Sequence, residues 1–288
     1  MFRSLFLAAC LALALPLSAA YSGRDLVLPV TGTSAGVGGR LFDTALWVTN
    51  LSLHHPADVT LAFYQSSQTN RSPRTIALRI GPGQTWVTDT IGPALTGGAA
   101  MGAIRVRSTQ DVIASARTYS RLVGETNAAA VASAFAAIPT QFAIGNGEET
   151  TLQGITPADS RYKVYLVEVT GQPLAVTMQL LDPAGSMVAE ERRYVDAHMQ
   201  IAADLHEIFG DKVPAHALLR IAGTNGEGRV VVAGAQIASQ SQDASAYEMT
   251  FRTQPRNRMT TAEIIAYILV AIAVLAAALS RRRVKREE

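Results

Sequence analysis

The segment Gly32-Thr33-Ser34-Ala35-Gly36 has the residue types of a nucleophile elbow, in which a serine sits on a sharp strand-to-helix turn. It follows an apolar run, Leu26–Val30, as an elbow should. What comes next argues against one. Gly36-Val37-Gly38-Gly39 puts three glycines where the helix would start, each costing roughly 1 kcal/mol in a helix. The reading is a plain loop, with serine-hydrolase chemistry resting on Ser34 alone. No Gly-Lys-Ser/Thr sequence follows these glycines, so they do not form a phosphate loop. The histidines are His54, His55, His198, His206 and His216. None has the His-x-x-x-His spacing that brings two imidazoles onto one helix face, and they read as loop and surface residues. Glu148-Glu149, Glu190-Glu191 and Asp211 are scattered, with no calcium-binding loop. Glu190-Glu191-Arg192-Arg193 reads as a charged, solvated strand edge. Arg105 and Arg220 lie inside apolar strands at matching places, which points to a shared structural pairing. Trp47 and Trp86 read as core aromatics. No catalytic, cofactor-binding or metal-binding residue is expected, and the chain is read as non-enzymatic.

The elements that would position any site lie between two apolar ends. Residues 1–20 read as a signal peptide. Arg3 is the positive start, Leu5–Leu17 the apolar run, and cleavage is expected between Ala20 and Tyr21. Leu7-Ala8-Ala9-Cys10 has the form of a lipobox, but the apolar run continues past Cys10 instead of ending there. Cys10 is the one cysteine of the 288 residues, so an exported chain cut at Ala20 has no disulfide. At the other end, Ile264–Ser280 is an uncharged run of about 17 residues, close to the minimum for a bilayer span. Thr260-Thr261-Ala262-Glu263 supplies a capping box. Arg281, Arg282, Arg283, Lys285 and Arg286 form a stop-transfer flank, against Arg252, Arg256 and Arg258 on the other side. The expected order is a linker at 251–262, a transmembrane helix at 263–280 and a basic cytoplasmic tail at 281–288. The net charge of +2 gives no reason to expect nucleic acid.

The body repeats itself. Thr44–Tyr64 lies over Lys163–Leu181, with Pro56 on Pro173 and Val59-Thr60 on Val176-Thr177. Gln84–Asp89 lies over Met199–Asp204, Ala103–Val106 over Leu218–Ile221, and Val112–Ser120 over Val231–Ser239. The period inside each copy is two: Val59, Leu61 and Phe63 alternate with Thr60, Ala62 and Tyr64. The first copy divides into seven short strands at 25–30, 43–50, 58–65, 74–80, 84–88, 101–107 and 111–120. Asn225-Gly226 between apolar runs predicts a hairpin. Asp89 and Asp204 each precede a segment long enough for one capped helical turn. Asn127–Ala137 is Ala-rich and reads as a connector or hinge. The fold class expected is all-β: two tandem immunoglobulin-like sandwiches, at 21–125 and 126–250, plus one C-terminal transmembrane helix.

The order LPV, Gly-rich turn, DTALWVTN, PADVTLAFY, GPGQTWV, ASARTYS resembles tandem immunoglobulin-like modules of poorly characterised bacterial envelope proteins. The second copy departs from the pattern, with no Trp at the Trp47 position and no Asn at the Asn50 position. The last 25 or so residues also resemble the sorting tails of bacterial surface proteins, although no Leu-Pro-x-Thr-Gly or Pro-Glu-Pro motif precedes the helix. The resemblance implies a membrane-anchored extracytoplasmic protein acting in binding, adhesion or envelope structure. Its body would stand in the periplasm or on the cell surface, and its partner would be an envelope protein or a glycan. The alternatives are a periplasmic chaperone or assembly factor and, on Ser34, a serine hydrolase.

Overall fold

The alternation at Val59, Leu61 and Phe63 forms a strand, with these side chains buried while Asp58 and Thr60 are exposed. The structure, a computed structural model, describes residues 21–35, 39–122, 124–126, 130–155, 160–239 and 244–250. They are mostly strand. The first half holds β1 (Gly23–Ala35), β2 (Arg40–Asn50), β3 (Ala57–Gln65), β4 (Arg74–Ile80), β5 (Thr85–Thr88), β6 (Ala100–Leu122), β7 (Val131–Ala136) and β8 (Ile138–Pro139). The second holds β9 (Glu149–Leu152), β10 (Ser160–Glu168), β11 (Leu174–Leu181), β12 (Met187–Val195), β13 (Gln200–Asp204), β14 (Leu218–Gly226), β15 (Val230–Ala238) and β16 (Ala244–Glu248). Among the described residues there are two short α-helices, α1 (Gly92–Thr96) and α2 (Leu205–Phe209), besides 3-10 turns at Thr140–Phe142 and Gly210–Lys212. Among the described residues no helix is long and apolar enough to cross a membrane. The signal peptide with Ala20, the linker, the 263–280 helix and Arg281, Arg282, Arg283, Lys285 and Arg286 lie outside the described residues.

One strand order occurs twice. In the first half, one layer runs β4-β3-β6-β1 and the other β5-β2-β6-β7. In the second half the layers are β12-β11-β14-β9 and β13-β10-β15-β16. β6 serves both layers of the first half: Gly102–Ser108 pair with β3 and Val112–Leu122 with β2. Between the layers lies an apolar core. Leu26, Leu28, Leu61 and Ile104 come from one side, Leu46, Val48 and Ala114 from the other, and Leu95 of α1 joins them. In the second half Val176, Met178 and Ile221 meet Val164, Leu166 and Val232, with Leu205 and Phe209 of α2. Asp204 caps α2 in a capping box with Glu207, as its position predicts.

Several expectations need correction. The strands expected at 101–107 and 111–120 are one strand, β6, which crosses from layer to layer without stopping. Asn225-Gly226 does not make a hairpin, because β14 and β15 belong to different sheets. That corner is the second half's version of the same crossing. Gly226 is required there, with φ of 116° and a Cβ position only 2.3 Å from the Pro173 carbonyl oxygen. The ladders also shift one alignment: Asn50 pairs with Val112 and Glu168 with Val230, so Val112 answers to Val230 and not Val231. Trp86 packs on the main core of the first half. Trp47, one residue out of phase with Leu46 and Val48, lies on the other face with Ala45 and Tyr119. Of the hinge expected at Asn127–Ala137, Val131–Ala136 form β7 on β6, and Ile138–Pro139 just after it form β8 on β1. They therefore extend the sheets of the first half.

The second-half core continues without a break into Val27, Val30, Tyr64, Ala103 and Ile138 of the first half. Because the two halves share buried apolar surface, they should unfold together. Scanning calorimetry of the full-length protein should give a single transition, and two separated transitions would contradict a shared core.

Candidate functional site

Two buried polar residues stand at equivalent ends of β2 and β10, Asn50 wholly within the first half and Glu168 behind the loops that meet it. Asn50 and Glu168 are both fully buried. The Asn50 Oδ1 accepts from the Ser52 N–H at 3.0 Å, and its Nδ2 donates to the carbonyls of His55 and Gly81 at 2.8 and 3.0 Å. Glu168 does the same work with the opposite polarity. Its carboxylate accepts the backbone N–H groups of Thr170, Gly171, His198 and Arg229 at 2.6, 2.8, 2.9 and 3.3 Å, and the Thr170 hydroxyl at 2.5 Å. An amide can gather carbonyls, whereas a carboxylate can gather only donors. This explains why the second copy has no Asn here: its loops present N–H groups to this point.

The two loops that Glu168 holds are those that dock on the first half. Arg105, 7% exposed, forks onto Asp25 with Nε–Oδ1 2.7 Å and Nη2–Oδ2 2.6 Å, and its Nη1 donates to the Val169 carbonyl at 2.5 Å. Burial pulls the Arg105 guanidinium down, but hydrogen bonds to Asp25 and Tyr64 and their charge hold it above its usual range. Gln200 donates to the Pro29 carbonyl at 2.7 Å, Asn70 to the His198 carbonyl at 2.8 Å, and Thr69 to Asp196 at 2.6 Å. Ser67 N–H donates to the Gln200 carbonyl at 2.8 Å. His198, expected as a surface histidine, stacks on Tyr64 with ring centres 4.9 Å apart. Burial lowers its basicity, the neighbouring Glu168 opposes that, and Arg105 and Arg107 reinforce it.

The expected pairing of the two arginines is present in both halves. Arg220 reaches Glu149 at 4.0 Å, and each acid sits one diagonal step along the neighbouring strand: Asp25 opposite Arg107, Glu149 opposite Ala222. The environments differ. The Arg105 and Asp25 side chains are 9% and 37% exposed, against 34% and 36% for Arg220 and Glu149.

Beside this lock the halves leave a cleft of about 220 Å³. Its second-half side is one face of β10 and β15, where period two sets Arg161, Lys163 and Tyr165 beside Ala235 and Ile237. The first half contributes Val30, Phe42 and Phe135, the last in edge contact with Tyr165 at 6.1 Å. Ser34, Ser120 and Ser133 bring hydroxyls. Ser34 lies in β1, paired with Phe42, and not on a strand-to-helix turn. No histidine and no carboxylate lines the cleft among the described residues. Gly32, two residues earlier, is fixed by the fold: φ is 141° and a Cβ would stand 2.4 Å from the Ala100 carbonyl oxygen.

The remaining singled-out residues are dispersed. His54 and His55 are exposed in the turn after β2, His206 lies in α2, and His216 is in the turn before β14. Among the described residues no group of three or more His, Cys, Asp or Glu could hold a metal ion. Tyr21, the first residue after the expected cleavage point, packs its ring against Phe142 at 5.6 Å and hydrogen-bonds Glu248. Glu168 and Lys163 were not legible as site residues. The signal for each was a charged residue within or at the end of an otherwise apolar strand.

No protein-family model matches the chain, and no curated protein does. Among solved structures, the crystal structure of Thermotoga maritima 1070 is similar over 41% of this chain and 94% of its own, at 12% identity and a TM-score of 0.32. At that score neither fold nor function is carried across.

Two expectations follow from the lock. Arg105→Met leaves the Val169 carbonyl without its donor and Asp25 without its cation, and should cost about 3 kcal/mol in urea unfolding. Arg220→Met, removing the more exposed pair, should cost less than about 1 kcal/mol. Equal losses would mean that burial at the junction is not what strengthens the first pair. The second concerns acid. As pH falls below 6.5, the unfolded chain takes up a proton that folded His198 resists, so stability should decline until the lowered folded value is reached. His198→Asn should remove that part of the wild-type pH profile.

Proposed function

We propose that the protein is a non-enzymatic, membrane-anchored envelope protein whose two immunoglobulin-like modules, locked end to end, act in binding or adhesion outside the cytoplasmic membrane. The observation that carries this reading is the repeated strand order, closed by a junction where Arg105, Gln200 and Asn70 cross from one half to the other. A shared apolar core and several cross-junction hydrogen bonds hold two surfaces in one fixed relation, as suits a protein that presents surfaces to a partner. Export by residues 1–20 and retention by the apolar run before Arg281 place the body outside and the basic tail inside. The residues serve display: the turn after β2 carries Leu53, 76% exposed, and the edge strand β12 carries Tyr194, 61% exposed. β12 also carries Glu190-Glu191-Arg192-Arg193, whose charges discourage indiscriminate sheet pairing at that edge. Partners of this surface are an envelope protein or a glycan.

The test is protease treatment of intact spheroplasts, with antibodies against the body and against residues 281–288. The body should be cut while the tail is protected, and mass spectrometry of the body should find Tyr21 at its N-terminus. A protected body with a digested tail would reverse the orientation and end this reading.

A further inference from the structure

We propose that the cleft at the junction binds a small organic monoanion, with an apolar body about the size of one ring and a carboxylate directed at Lys163. This goes beyond display and does not depend on membrane topology.

Three features lead to this ligand. The first is size and lining. Small side chains on β15 and β16, Ala235 and Ala244, set the depth, and Phe135 and Ile237 give an apolar wall. A dry cavity of about 150 Å³ accepts benzene, so a cleft of about 220 Å³ holds a ring and one substituent. The second is charge. Arg161 and Lys163 both face the cleft with no carboxylate among its described lining residues. The ammonium of Lys163 makes no ion pair or hydrogen bond within the described residues. Its cross-strand neighbour Asp204 uses Oδ1 to cap α2. A cation beside an apolar wall, making no ion pair among the described residues, is the recognition element for an anion.

The third is an unmet hydrogen bond. Ser133 is 7% exposed, lines the cleft, and its hydroxyl has no partner. Leaving a buried hydroxyl unsatisfied is unfavourable, and a carboxylate oxygen accepting from Ser133 while facing Lys163 removes that defect. Ser120 contributes less, because its hydroxyl already takes a bond from Arg40 at 3.4 Å.

The experiment uses full-length protein in nanodiscs, titrated with benzoate and, as the neutral molecule of the same shape, benzamide. Binding is read by saturation-transfer NMR and calorimetry. Benzoate should bind saturably at one site per chain and at least about tenfold more tightly than benzamide. Lys163→Met should weaken benzoate about tenfold and leave benzamide unchanged. Ile237→Trp, which fills the cleft, should abolish both, and an unaltered melting temperature for each variant excludes unfolding as the cause. Absence of saturable benzoate binding, or binding indifferent to both substitutions, would overturn the proposal. Neither result bears on the orientation measured in spheroplasts, so this site and the display reading fail separately.

Discussion

A carboxylate that pairs with no arginine or lysine among the described residues holds the junction in shape. Glu168 is fully buried, and its two oxygens are satisfied by four backbone N–H groups and a hydroxyl drawn from three loops. A buried charge is tolerated only when every donor around it is aimed inward. Satisfying Glu168 therefore fixes the Thr170–Gly171 turn and the His198 turn together. Val169, next to Thr170, and Gln200, two residues after His198, contact the first half. The surface that Arg105 and Asn70 meet is thus shaped from inside the second half.

Much of this architecture was legible in the sequence, because period two and a repeat at near-constant offset are local signals. The crossing strand was not. The expected strands 101–107 and 111–120 leave a gap at 108–110, yet β6 runs through it, its ladder to β3 ending at Ser108 and its ladder to β2 starting at Val112. Asn225-Gly226 misleads in the same place of the second copy, because a turn dipeptide marks a bend and not which sheet the next strand joins. The junction left a fainter trace. Leu26-Val27-Leu28 is apolar on both faces, which is how a strand covered on both sides reads. Val27 and Ala103 are the outward residues that the second half covers.

The cleft was hidden for a different reason. Arg161, Lys163 and Tyr165 share a face only through strand parity, and the hollow opposite them comes from what is small, Ala235 and Ala244. Small residues carry no motif. Ser34 attracted attention because its neighbours match a known spacing, while Ser133, with the unmet hydrogen bond, stands in an Ala-rich stretch that reads as a connector. Nothing local distinguishes them. Only the approach of the two halves does.

The loop between β3 and β4 spans residues 66–73, whereas its counterpart between β11 and β12 spans only 182–186. The longer loop carries Ser67, Thr69 and Asn70, the groups that receive the second half. The recurring strand order thus has a receiving loop on one copy and a short turn on the other. Where the first half offers that loop and the buried Arg105, the second half has a short turn at Asp182–Ser186 and a half-exposed Arg220. The two copies are therefore not interchangeable: one strand order gives the first half a receiving loop and the second half only a tight turn.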